Sequence, residues 1–194
     1  MTFTELINKI KEFEGFRSRA YRDSGGTWTI GFGRVAGVKA GDSTNREAEE
    51  NWLVNKVETI REEVRRDTYD QGYSFNDDQI LALTDFVFNL GLGKLRTLTK
   101  TGERTEEEIS NKILEYDKCR INGVLVPLAG LTKRRKFEKD LFDGKFSGTP
   151  TKNPTAKELQ ILINEVSNAG LEVDGKIGKK SIKAIYEYIT GVSK

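Results

Sequence analysis

The segment from residue 76 to residue 91, NDDQILALTDFVFNLG, constrains the fold of this chain more than any other. Beyond its first four residues, apolar side chains leave almost no polar face. A helix that is apolar on all sides must be covered by the rest of the chain. We therefore expect a central core helix here, capped by Asn76 and ended by Gly91 and Gly93.

Several other segments have the spacing of amphipathic helices. Residues 4–14 and 45–66 carry apolar side chains at intervals of three and four. A Thr three residues before a Glu is the capping-box pattern of a helix start. Helix starts or caps are predicted at Thr2–Glu5, Thr44–Glu47, Thr105–Glu108, Thr132, Thr155–Glu158 and Ser181. Residues 95–104 are interpreted as a loop, and Asn122–Gly123 is typical of a tight turn.

A β-hairpin is predicted between the first two helices. Residues 17–22 and 27–33 flank Asp23-Ser24-Gly25-Gly26, which is turn chemistry. Apolar and polar residues alternate through the second segment, as in a half-buried strand. Thr29 should therefore face away from the side that carries Trp28 and Ile30.

Two carboxylic acids in this region suggest acid-assisted glycoside cleavage. Glu14 falls on or beside the apolar face of the first helix, where desolvation disfavours the charged form and favours a general acid. Asp23 should lie where the first strand enters its turn. This reaction requires at least two carboxyl groups in different environments. The alternative is that Glu14 ends a surface helix paired with Arg17 or Arg19, and that Asp23 only forms the turn.

The order Glu, eight residues, Asp, five residues, Thr, within FEGF, AYRD and TIGFG, resembles the phage-type (T4-like) lysozymes, the endolysin muramidases of glycoside hydrolase family 24. Residues 74–93 and 127–142 also resemble that family, in the expected order. The resemblance covers about residues 3–143. One departure is Arg34, where relatives often carry His.

This resemblance implies an α+β fold, mostly helical, with two lobes, a small β-hairpin lobe and a long joining helix at 45–66. It implies hydrolysis of the β-1,4 bond between N-acetylmuramic acid and N-acetylglucosamine in peptidoglycan, causing host cell lysis. Glu14, Asp23 and Thr29 would be the catalytic residues.

Three further residues are candidates for binding substrate: Asn89, Arg134 and Arg135. Asn89 would line the cleft or else only cap backbone at its helix end. By resemblance, Arg134 or Arg135 would hold Glu14, whereas the pattern alone makes the basic run 133–135 a solvated surface. An Arg there would lower the pKa of Glu14 and oppose the effect of burial.

The absence of His from all 194 residues disfavours most rival wall-degrading chemistries. Zinc amidases and zinc peptidases use His ligands, and Cys–His peptidases need a His base. A carboxylate mechanism needs none, so no metal and no cofactor are expected. The single cysteine, Cys119, excludes an intrachain disulfide. The net charge of +2 does not favour nucleic acid as a partner.

The composition changes after residue 143. Residues 144–154 have the Gly, Pro, Ser and Thr content of a linker between a catalytic domain at 1–143 and a second domain at 155–194. The last segment resembles the short peptidoglycan-binding domains of wall hydrolases, on a pattern that includes Gln160, Asp174 and Gly175. The alternative is a helical tail docked onto the catalytic domain.

Charges interrupt every apolar run near the N-terminus, so we expect neither a signal peptide nor a signal anchor there. We therefore expect synthesis in the host cytoplasm and action on the cell wall or periplasm after release of the holin type. The expected partner is peptidoglycan, with no stable membrane insertion and a monomeric state. One alternative is a lytic transglycosylase, against which Asp23 and Thr29 argue. The other is a non-catalytic wall-binding or virion structural protein, against which Glu14, Asp23 and Thr29 argue.

Overall fold

The computed structural model describes residues 1–23, 25–121, 124–145, 156–167 and 169–190. The chain divides into two compact units, Met1–Gly148 and Thr149–Lys194. The predicted linker lies almost wholly outside the described residues, and the predicted domain boundaries stay predictions.

The first unit is mostly helical, with two small antiparallel hairpins. Its helices are α1 (Phe3–Glu14), α2 (Arg46–Asp70), α3 (Asp77–Leu90), α4 (Leu92–Thr99), α5 (Glu106–Ile113) and α6 (Ala129–Phe142), with a 3-10 turn at Leu114–Tyr116. Its strands are β1 (Arg17–Arg22) paired with β2 (Trp28–Gly31), and β3 (Lys118–Ile121) paired with β4 (Val124–Pro127). This is the mostly helical α+β architecture expected from the sequence.

The core forms around α3, as the sequence predicts. Every residue from Gln79 to Val87 is buried. Helices α2, α4 and α6 pack against α3 and exclude water from its apolar surface. Asn76 caps this helix in a capping box with Gln79, and Gly91 ends it at φ 83°. The prediction that Gly93 also ends it was wrong, because Gly93 lies within α4.

The other predicted helix starts have mixed outcomes. Capping boxes at Thr2–Glu5 and Thr105–Glu108 are confirmed. The prediction at Thr44 was wrong by one residue, because Asn45 accepts the capping hydrogen bond from the Ala48 amide.

The predictions at Thr132 and Ser181 were also wrong. Helix α6 already begins at Ala129, and the Thr132 hydroxyl donates to Asp117 Oδ2 at 2.9 Å. Helix α8 begins at Lys179, two residues before Ser181. Thr155 lies outside the described residues.

Two further corrections concern loops and strands. The segment 95–104 was interpreted as a loop, but its first five residues belong to α4. Leu95, Leu98 and Thr99 of this helix are buried. The second hairpin strand is not half-buried as predicted, because Thr29 and Ile30 are both buried although they are adjacent. The predicted turn at Asn122–Gly123 lies outside the described residues.

The second unit contains α7 (Ala156–Ser167) and α8 (Lys179–Thr190). Gln160, only 2% exposed, joins α7 to the turn between them. Its Nε2 donates to Asp174 Oδ1 at 2.8 Å, and its Oε1 accepts from the Gly175 amide at 2.8 Å. Gly175 has φ 80°, a conformation that favours glycine.

No helix among the described residues is both long and apolar enough to cross a membrane.

Candidate active site

Glu14 is the last residue of α1, and its side chain remains 23% exposed. The helix stops there because Gly15, at φ 67°, turns the chain toward β1. Leu6, Ile7 and Ile10 bury the other face of α1 in the core. The carboxylate is therefore fixed at the end of a rigid element and still reached by solvent.

Arg134 of α6 holds one oxygen of this carboxylate. Its Nη1 donates to Glu14 Oε1 at 2.6 Å. Of the two candidates from the sequence, Arg134 makes this contact and Arg135 does not. The interpretation of the basic run as a solvated surface was wrong for both arginines, which are 4% and 0% exposed.

Glu14 Oε2 receives no hydrogen bond from any residue that the structure describes. It lies beside Gly33, where an added Cβ would be 3.3 Å from this oxygen. One oxygen is thus anchored, whereas the other faces a stretch of backbone without a side chain. A carboxyl group in this arrangement can present a proton from a defined position.

Asp85 of α3 was missed by the sequence reasoning. It is fully buried, and its two oxygens accept from Arg134 Nη2 at 2.8 Å and Nε at 3.1 Å. This bidentate pair fixes the guanidinium plane and aims its remaining nitrogen at Glu14. Burial acts to lower the pKa of Arg134, but Asp85 and Glu14 outweigh it and the pKa is raised, so the side chain stays a cation. A charged residue within an apolar helix was the signal for Asp85, because buried charges require a partner.

Arg135, the residue after Arg134, is hydrogen-bonded to Asn89 and Glu138. Arg135 Nη2 donates to Asn89 Oδ1 at 2.9 Å and to Glu138 Oε1 at 2.7 Å. Burial lowers the pKa of this guanidinium, although Glu138 acts to raise it. Arg135 also lies over the ring of Phe86, 5.1 Å from its centroid.

Asp23 and Thr29 are both bonded to Thr27. Asp23 Oδ1 accepts from the amides of Thr27 at 2.8 Å and Gly25 at 2.9 Å. The Thr29 hydroxyl donates to the Thr27 carbonyl at 3.1 Å. These bonds use one Asp23 oxygen and the hydroxyl proton of Thr29. Asp23 Oδ2 accepts from no described residue.

Arg34 fastens this hairpin to α2. It donates to both oxygens of Glu49, the shortest bond being 2.6 Å from Nη2 to Oε1. Thr44 adds a bond of 2.9 Å to Glu49 Oε1, and Gly31 lies against the same carboxylate. Burial acts to raise the pKa of Glu49, but the bonds from Arg34 and Thr44 outweigh it and the pKa is lowered. The residue that departs from the family pattern therefore has a structural role here.

A family model for phage lysozyme matches residues 11–138, a range that contains all six predicted site residues. The chain belongs to the phage lysozyme family. An endolysin of Acyrthosiphon pisum secondary endosymbiont phage 1 is 30% identical over 137 residues, which cover 69% of this chain and 92% of that protein. The chain is thus a lysozyme, an enzyme of the endolysin type that hydrolyses peptidoglycan.

Solved structures have the same fold. The muramidase domain of SpmX from Asticaccaulis excentricus superposes with a TM-score of 0.63 at 27% identity, covering 71% of this chain and 94% of that one. The endolysin from Escherichia coli O157:H7 phage FAHEc1 gives 0.61 at 25% identity, covering 79% and 97%.

Proposed function

We propose that this lysozyme acts by the mechanism of glycoside hydrolase family 24, cleaving the β-1,4 bond between N-acetylmuramic acid and N-acetylglucosamine with Glu14 as general acid. The observation that carries the proposal is the asymmetry of the Glu14 carboxyl. Arg134 holds Oε1, and Oε2 is left for the proton that passes to the leaving glycosidic oxygen. Departure of the protonated sugar leaves positive charge on the ring that remains.

Asp23 would stabilise that positive charge or orient the attacking water. Its Oδ2 is the oxygen available, since Oδ1 accepts the two turn amides. Thr29 would help to position the water. Its proton goes to the Thr27 carbonyl, so its oxygen offers lone pairs to a water hydrogen. Asn89 and Arg135 would act indirectly. The hydrogen bond between them joins α3 to α6, the helices that carry Asp85 and Arg134.

Analysis of the released muropeptides tests this proposal. Purified peptidoglycan is incubated with wild type, Glu14→Gln and Glu12→Gln, the last being an exposed carboxylate of the same helix that pairs with Lys9. New reducing muramic acid ends with wild type and Glu12→Gln, and none with Glu14→Gln, would support the muramidase mechanism.

Two other outcomes would replace the proposal. Anhydro-muramic ends would indicate a lytic transglycosylase, in which Glu14 acts without a water nucleophile. A folded wild-type protein that binds several wall types without cleaving them would be a non-catalytic wall-binding protein.

We further propose that the second unit holds the enzyme on its insoluble substrate. Its sequence resemblance to peptidoglycan-binding domains supports this, and so does a cavity of about 650 Å³ beside the turn that Gln160 holds. Lys176, Lys179 and Lys180 line this cavity. Tethering raises the local concentration of a catalytic unit without new catalytic contacts.

Gln160→Ala tests the role of the second unit. It removes three hydrogen bonds that the side chain makes to the turn. We expect weaker sedimentation with insoluble cell walls and unchanged cleavage of soluble glycan fragments. Ser167→Ala, which removes one exposed polar group from the same helix without touching the turn, is the control. Equal wall binding by Gln160→Ala, despite a disrupted second unit, would contradict the proposal.

The remaining functional expectations from the sequence are proposals as well. The enzyme would be made in the host cytoplasm, released by a holin-type lesion, and act as a monomer. It would need no metal or cofactor and would bind no nucleic acid and insert into no membrane. Lysis of an expressing host only on co-expression of a holin would support the proposed route.

A further inference from the structure

Glu138 of α6 is a buried acid that the proposed mechanism does not use. Its side chain is 0% exposed. Oε1 accepts from Arg135 Nη2 at 2.7 Å, whereas Oε2 is buried without a donor among the described residues. A buried carboxylate oxygen without a donor costs free energy that a proton on that oxygen would remove.

Glu138 and another buried acid, Asp85 of α3, lie around the same atom: Arg134 Nε is 3.1 Å from Asp85 Oδ2 and 3.8 Å from Glu138 Oε1. Two ionised carboxylates cannot hydrogen-bond to each other, because each only accepts. A hydrogen bond between the two acids therefore requires a proton on one of them. Asp85 already accepts from Arg134 with both oxygens, so the anion is better placed there.

We propose that Asp85 and Glu138 share one proton at neutral pH, so that Glu138 is a neutral acid that donates to Asp85 and thereby positions Arg134. Its role as a positioning residue rests on the proposed catalytic role of Glu14. Burial first, and then the neighbouring Asp85, raise the pKa of Glu138 well above its ordinary value of 4.5.

The charged groups around Glu138 lie on three helices. Arg134 and Arg135 are the two cations that face Glu138 from its own helix. Asp85 on α3 and Glu14 on α1 are the acids that reach Arg134. With Glu138 neutral, Asp85 remains the anion that pairs directly with the buried Arg134 guanidinium.

Asp117, before β3, is the other acid that acts on Arg135. Its Oδ2 accepts from the exposed Thr132 hydroxyl.

The consequence concerns where the catalytic acid is held. A proton between Asp85 and Glu138 joins α3 to α6 directly beneath the arginine that anchors Glu14. Loss of that proton would place two anions side by side and push α3 and α6 apart. The position of Glu14 would then depend on a proton that never reaches the substrate.

The pH dependence of stability tests this proposal without an activity assay. Glu138→Gln has nearly the same shape, donates to Asp85 and cannot titrate. A group with a raised native pKa contributes stability that is present below its unfolded pKa and lost as pH rises toward the native pKa. Wild type should lose this contribution above about pH 4.5, and the variant should not.

We expect the ratio of the folding constants, Glu138→Gln over wild type, to rise by about tenfold per pH unit above that point until the pair loses its proton. Asp140→Asn on the same helix is the matched control. Lys136 and Lys145 lower the pKa of Asp140, so its ratio should change in the opposite direction. A ratio for Glu138→Gln that stays flat or falls with rising pH would overturn the proposal, as would failure of Glu138→Gln to fold.

Rescue of turnover tests the positioning role separately. Glu138→Ala removes both the proton and the bond to Arg135, and we expect a lower kcat with little change in KM. Glu138→Gln should recover most of the kcat that Glu138→Ala loses. Equal loss in both variants would show that a charged Glu138 is required and would overturn the proposal. If wild type has no glycosidase activity, the proposed function fails, and the stability ratio still decides the shared proton.

Discussion

Arg134 donates a hydrogen bond of 2.6 Å from Nη1 to Oε1 of Glu14, a residue that lies 120 positions earlier in the chain. The bond joins α6 to the end of α1. It depends in turn on Asp85, which holds the other side of the same guanidinium. The orientation of the proposed catalytic acid is therefore determined by three helices that are distant in sequence.

Arg134→Met should destabilise the protein by about 3–5 kcal/mol, because it leaves Asp85 as a buried and unpaired charge. Arg134→Lys keeps the charge but not the planar fork, so the loss of stability should be smaller. Both variants should reduce turnover by about tenfold or more, since Glu14 loses its anchor. Urea unfolding and initial rates on soluble peptidoglycan measure the two effects.

Lys133→Met is the control for this pair of variants. Lys133 is exposed on the same helix. A loss of stability as large as that of Arg134→Met would show that the buried ion pair is not the cause.

Asp23→Asn should preserve the hairpin and remove most of the activity. The Asn Oδ1 can still accept from the amides of Gly25 and Thr27, so the turn keeps its hydrogen bonds. The lost negative charge should lower kcat by about a hundredfold or more. The melting temperature and kcat of the purified variant are the two measurements. Near-normal kcat would assign Asp23 to the turn alone.

Gly33→Ala should lower activity through the shape of the site. The new Cβ would lie 3.3 Å from Glu14 Oε2, and the backbone at φ 92° disfavours any residue except glycine. We expect a loss of about 1 kcal/mol or more in stability and a larger loss in turnover. Gly37→Ala, at φ 75° with open space around it, is the matched control for backbone strain. Equal turnover in the two variants would argue against crowding of Glu14.

The ion pair between Glu49 and Arg34 should make stability depend on acid pH. The pKa of Glu49 is lowered in the folded protein, so its contribution is present above the ordinary value of 4.5 and is lost as pH falls through the native pKa. The difference in unfolding free energy between wild type and Glu49→Gln should be largest at neutral pH and shrink in acid. Glu47→Gln, exposed in the first turn of α2, controls for the loss of a surface carboxylate. A difference that grows in acid would contradict this account.

The sequence predicts the local elements well because their signals are local. Capping boxes at Thr2 and Thr105 and the apolar run of α3 are readable from neighbours within a few positions. Helix α4 was missed because its apolar pattern is short and is interrupted by Gly93 and two basic residues. Its buried residues Leu95, Leu98 and Thr99 share one face. Thr44 was predicted to cap α2, but its hydroxyl donates to Glu49 Oε1 instead.

The candidate site is less predictable because its partners are distant in sequence. Glu14, Asp23 and Thr29 fall within sixteen residues, whereas Asp85 and Arg134 follow much later in the chain. Tertiary packing alone brings these two groups together.

A signal for the buried charges was nevertheless present in α6. Arg134, Phe137, Glu138 and Leu141 stand at helical spacings of three and four, so two charged residues share the buried apolar face. Every residue of KRRKFEKD except Phe137 is basic or acidic, so α6 was interpreted as having a solvated surface at this point.

The rate of peptidoglycan hydrolysis by Glu14→Gln, beside wild type and Glu12→Gln, tests the central claim most directly. Glutamine keeps an oxygen for Arg134 but has no acidic proton, so the fold should persist. We expect hydrolysis to fall by about a hundredfold or more in Glu14→Gln and to remain near wild type in Glu12→Gln. A folded Glu14→Gln enzyme that hydrolyses peptidoglycan at the wild-type rate would contradict the assignment of Glu14 as the acid.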